Sequence, residues 1–104
     1  MGDRVSIQFK KGEDISPVLF SHWRGMEFIE EARNYVKELI AEVGNSSMYP
    51  LDRLEPRTVL VDFVRYITQG EIRVKSDLYL GVNEDDGDNS DNGHFVIELN
   101  KEMI

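Results

Sequence analysis

Residues 77–100 read DLYLGVNEDDGDNSDNGHFVIELN, and how this stretch is read decides the fold. Its apolar runs, Leu78-Tyr79-Leu80 and Phe95-Val96-Ile97, have strand composition. The eleven residues between them, Asn83 to Gly93, are almost all turn formers and acids. The pattern predicts a β-hairpin with Leu78, Leu80 and Val82 on the core side, alongside Phe95, Ile97 and Leu99. Hairpin loops usually hold about two to five residues, and longer ones are often functional or disordered.

Working outward, Pro56 and Gly70 frame a helix with an apolar stripe of Val59, Leu60, Phe63, Val64 and Ile67. Thr58, Asp62, Arg65 and Gln69 form its polar side, with Asp62 and Arg65 spaced as a surface ion pair. A longer helix is predicted over 26–43. Phe28, Ile29, Ala32, Tyr35, Val36, Leu39, Ile40 and Val43 recur on one face, and Gly44 is placed to stop it. Two strands precede it. Arg4 to Lys10 alternates, with Val5, Ile7 and Phe9 on one side, and Ile15 to Trp23 is apolar on both sides. Lys11 to Asp14 makes the turn between them. The fold predicted is one α+β domain over 1–104 in the order β-β-α-α-β-β. Two hairpins form a four-stranded, mainly antiparallel sheet with both helices packed on one face.

The chain has 104 residues and a net charge of −8. Glu84, Asp85, Asp86, Asp88 and Asp91 supply five of those negatives, so the acidity is local. Direct nucleic-acid binding, which needs clustered Lys and Arg, is not expected. No apolar run approaches the ~20 residues of a membrane span, and no leader pattern is visible. The absence of cysteine rules out disulfides and thiolate metal sites. Together these features lead us to expect a cytoplasmic protein without membrane association.

Asp88-Asn89-Ser90-Asp91-Asn92-Gly93 resembles the first half of an EF-hand-type calcium loop. That likeness implies Asp88, Ser90 and Asn92 as oxygen ligands to calcium or another divalent cation, with Asp85 or Asp86, Asp86 preferred, in place of a missing carboxylate. Leu99 stands where a bidentate acid is expected, which implies weak binding of roughly 10⁻⁴–10⁻³ M and an empty loop kept mobile by like charge. The two histidines, His22 and His94, end predicted strands. Converging on Asp86 and Asp88, they would form a mixed nitrogen–oxygen site able to activate water, as in a metal-dependent hydrolase. Arg24-Gly25 at the start of the long helix is a candidate anion site. Leu19, Trp23 and Val96 are placed for a self-association patch.

The leading expectation is therefore a non-enzymatic binding module that presents the acidic loop Glu84–Asp91 to a cation or a basic protein partner. A hydrolase using His22 and His94 is the alternative, and an acidic nucleic-acid mimic the third reading.

Overall fold

A computed structural model describes residues 2–45, 54–69 and 78–99. Its elements are β1 (Val5–Lys11), β2 (Asp14–Ile15), β3 (Val18–Ser21), α1 (Gly25–Asn45), α2 (Pro56–Ile67), β4 (Leu78–Gly81) and β5 (His94–Glu98). The class is α+β, as the hydrophobic periodicities predict. The sheet, however, has five strands rather than four. The expected strand over 15–23 is split at Ser16-Pro17, where the register against β1 slips by one residue between Lys10↔Ile15 and Ile7↔Leu19. Pro17 has no N–H to give a ladder, and the buried Ser16 hydroxyl instead accepts the Phe9 N–H at 2.9 Å. This is a β-bulge with a side-chain repair.

The larger correction concerns 77–100. β4 and β5 do not form a hairpin. β1 runs through the centre of the sheet, with β5 parallel to it on one side and β3 antiparallel on the other. β4 pairs antiparallel with β3 at the far edge. The last two strands therefore run parallel and are separated by three strand spacings, about 14 Å. Residues 82–93 must cross the sheet to join them.

Val5, Ile7, Phe9, Leu19 and Ile97 project to one face and meet Phe28, Ile29, Ala32, Tyr35, Val36, Leu39 and Ile40 of α1 and Val59, Leu60 and Phe63 of α2. Phe63 anchors this layer. It lies edge-on to Phe9 at 5.6 Å and tilted against Tyr35 at 5.2 Å and Phe28 at 5.7 Å. Burying these stripes gives the helices most of their stability. The Tyr35 hydroxyl donates to Asp62 Oδ2 at 2.6 Å and ties α1 to α2, so Asp62 serves a tertiary bond rather than the expected pair with Arg65. Burial, and then the Asp62 carboxylate, push the Tyr35 phenol well above its usual range.

Pro56 opens α2 as predicted, while Thr68 closes it by returning its N–H to Val64 O at 3.0 Å. α1 runs on through Asn45, past the expected stop at Gly44. Gly70, the connection 71–76 and the tail 101–104 lie outside the described residues. The helices sit chiefly over β1, β2 and β5, and of β4 only Leu78 packs against the core beneath them. Leu80 and Val82, expected in the core, are accordingly 63% and 79% exposed, and Leu19, expected on the outer face, is buried under the helices. No described helix is long and apolar enough to cross a membrane.

Candidate functional site: the acidic crossover

The crossover 82–93 lies flat on the sheet face turned away from the helices. That face carries Ser6, Val18 and Phe20, all fully buried although no helix covers them. Phe20 stacks on Tyr79 of β4, with ring centroids 5.0 Å apart and planes within 6°. Gly87 rests on this pair. A Cβ there would lie 2.6 Å from Tyr79 and 2.8 Å from Phe20, so only glycine lets the chain come this close.

Hydrogen bonds fasten the strap along its length. Asp86 Oδ2 accepts the N–H groups of Val82 (2.7 Å) and Asn83 (2.9 Å), closing the turn that leaves β4. Those two donors, Asn83 first, hold the Asp86 carboxyl below its ordinary range. The Asp88 N–H donates to the Tyr79 hydroxyl at 3.0 Å, and Asp88 Oδ1 accepts the Ser90 N–H at 3.0 Å. Hydrogen bonds from Ser90 lower the Asp88 carboxyl most, with smaller contributions from the nearby charges of Arg4 and His22.

Arg4 is the centre of the far end. Its N–H donates to Asp91 Oδ2 at 3.0 Å and its carbonyl accepts the Asn92 N–H at 2.9 Å. Its guanidinium lies 3.3 Å from Asp88 and 3.8 Å from Asp91, although the buried Nε is not aligned for a hydrogen bond. The like-charge repulsion expected to keep the loop mobile is thus met by one arginine and a series of main-chain amides. Asn92 Nδ2 reaches Asp3 Oδ1 at 2.6 Å. The Asp3 carboxylate in turn sits against Gly25 at the start of α1, where an added Cβ would collide with it and where φ is +59°. A carboxylate of the chain itself thus lies at Gly25, at the positive end of the helix dipole.

His94 belongs to a second set of contacts, beneath the strap. Gln8 Nε2 donates to Ser16 O at 2.9 Å, which leaves Gln8 Oε1 to accept from His94 Nε2 at 2.8 Å. With its proton on Nε2, the ring accepts at Nδ1 from the Ser6 hydroxyl at 2.7 Å. Ser6 Oγ accepts in turn from Asn89 Nδ2 (2.9 Å), which also reaches Glu84 O at 3.1 Å. A continuous chain of donors thus runs from the strap through β5 to the bulge at Ser16. A serine hydroxyl on a histidine that is oriented by an amide has the form of a nucleophile–base pair. Ser6 is 0% exposed under Asn89, however, and offers a substrate no approach. The arrangement is suited to anchoring.

Of the residues singled out from sequence, His22 packs its ring edge-on to Trp23 at 4.2 Å. His94 is held apart from it by Ser6 and Gln8. Asp86 closes its own turn, Asp88 faces Arg4, and Asn92 turns its amide to Asp3 and Arg4. Among the described residues, no three acidic or histidine side chains come together as metal ligands. Glu84 and Asp85 remain at the exposed bend, their carboxylates without an ion-pair or hydrogen-bond partner among the described residues. Sequence reading missed the parts played by Arg4, Ser6, Gln8 and Asn89. The available signal was the polar side of β1, where Arg4, Ser6 and Gln8 alternate with core residues. Compared with family models, with curated proteins and with solved structures, the chain matches none.

Proposed function

We propose that this domain is a non-enzymatic interaction module that offers the bend Glu84-Asp85, flanked by Leu80 and Val82, to a basic protein partner. The observation that carries this reading is the unequal use of the acids. Asp86, Asp88 and Asp91 are spent on holding the strap, while Glu84 and Asp85 stay exposed and uncompensated on a preformed surface. Preorganisation lowers the cost of binding, and the exposed Leu80 and Val82 add apolar contact beside the charge. A basic partner is favoured over a divalent cation because the oxygens of Asp86 and Asp88 already accept from amides, which a cation would have to displace. It is favoured over hydrolysis because Ser6 is enclosed and both His94 nitrogens are engaged.

A synthetic peptide alternating Lys and Leu serves as the probe. Titrated into ¹⁵N-labelled protein, it should shift the amides of Leu80 to Asp85, and the double reversal Glu84→Lys, Asp85→Lys should remove the response. If the shifts fall elsewhere or survive the reversal, the bend is not the binding surface.

A further inference from the structure

The other edge of the sheet has a property of its own. The bonds from Ser6 N–H to Gly93 O (3.1 Å) and from Leu99 N–H to Lys10 O (2.7 Å) set the phase of the β1–β5 ladder. Main-chain groups alternate in direction along a strand, so Gly93, Phe95, Ile97 and Leu99 spend theirs on β1. Those of His94, Val96 and Glu98 point outward, and no hydrogen bond to them is found from the described residues. An edge left open by the described residues is a template for another strand. Edges are commonly guarded by proline, a bulge or an inward charge, and β5 has none of these between His94 and Glu98.

We infer that β5 is a self-pairing edge through which two copies of this chain join their sheets about a two-fold axis at Val96. Of the antiparallel registers available, this one alone places all three outward residues opposite outward residues of the same strand. Val96 meets Val96, and His94 meets Glu98 twice. Each such pair exchanges two main-chain bonds, so the junction forms six. The side chains agree with the register. Val96, 45% exposed, gains an apolar neighbour of its own kind on the outer face. Glu98 faces His94 rather than a second Glu98, which a two-fold axis at that residue would impose, so no like charges meet across the junction. Phe95 and Ile97 face each other on the helix side and extend the core across the junction. The two straps lie toward opposite ends of the paired strands, because each strap enters β5 at His94.

Sedimentation of the full chain over a range of concentrations tests this. A reversible dimer is expected, strengthened by salt because two chains of net charge −8 repel. Hydrogen exchange should slow at the His94, Val96 and Glu98 amides as the dimer fills, while the Phe95 and Ile97 amides stay protected at every concentration. Val96→Pro removes an outward N–H and leaves the β1 ladder its donors. It should weaken the dimer at least about thirtyfold, since the symmetry repeats each loss. Val96→Lys, which keeps the N–H but sets two ammonium groups face to face, should weaken it as well and covers the case in which the proline chain does not fold. A chain that stays monomeric at millimolar concentration in high salt overturns the inference. So does a dimer that Val96→Lys leaves intact, or one that forms without slowing exchange at Val96.

Discussion

The two faces of this sheet are covered in opposite ways. On one, two helices lay down apolar stripes that meet Val5, Ile7, Phe9, Leu19 and Ile97, and the contact is nearly all hydrocarbon and aromatic ring. On the other, an acidic, glycine-bearing strap covers Phe20 and Val18 and is held by directional hydrogen bonds through Arg4, Ser6, Tyr79 and His94. The first cover draws on the hydrophobic effect, which tolerates small displacements and scales with area. The second depends on geometry, since each bond contributes only about 0.5–1.5 kcal/mol net but costs more when one partner is left buried and alone. A polar segment can therefore close a sheet face, provided its acids are answered one by one.

The helix side should be the more costly to damage. Phe63→Ala empties the centre of the aromatic cluster and should cost about 3–5 kcal/mol, read as a lower midpoint of chemical denaturation with loss of the whole fold in one transition. A cost below about 1 kcal/mol would mean that the two covers do not differ in kind.

Damage to the strap should be smaller and local. Gly87→Ala drives a methyl group into the Phe20–Tyr79 stack and should cost about 1–3 kcal/mol. Hydrogen exchange should then rise over residues 82–93 while the amides of α1 keep their protection. If α1 loses protection in parallel, the strap and the helix layer are one cooperative unit. Ser6→Ala leaves His94 Nδ1 without its donor and removes one of two acceptors of Asn89 Nδ2, so about 1–3 kcal/mol is expected. The imidazole signals of His94 should shift while those of His22 do not.

The smallest effect is that of pH. Asp86 and Asp88 have folded-state pKa values below those of the unfolded chain, so the stabilisation they bring is complete above the unfolded carboxylate range. It is lost as pH falls through their lowered folded values. Both groups are exposed, which keeps the effect modest. Acidification should loosen the strap amides of Val82, Asn83 and Ser90 first, whereas Asp86→Asn should flatten that response at Val82 and Asn83 only.

Much of the helix side could be read directly from the chain. The stripe from Phe28 to Ile40 and the Pro56 start of α2 are local patterns of period 3.6, and the Val5, Ile7, Phe9 alternation has period 2, so each names its own element and buried face. The acidity of 84–91 and its turn character were equally plain. What the tertiary structure decided was the relation between β4 and β5. Alternation in Leu78–Leu80 and Phe95–Ile97 is the same whether two strands neighbour each other or stand three spacings apart, and turn formers license a bend without giving its destination. The crossover followed from pairing energies shared over the whole sheet, and with it came the exposure of Leu80 and Val82. The same choice buried Ser6 under Asn89 and kept His94 from His22, because side-chain direction is local while the company a side chain keeps is set by strand order.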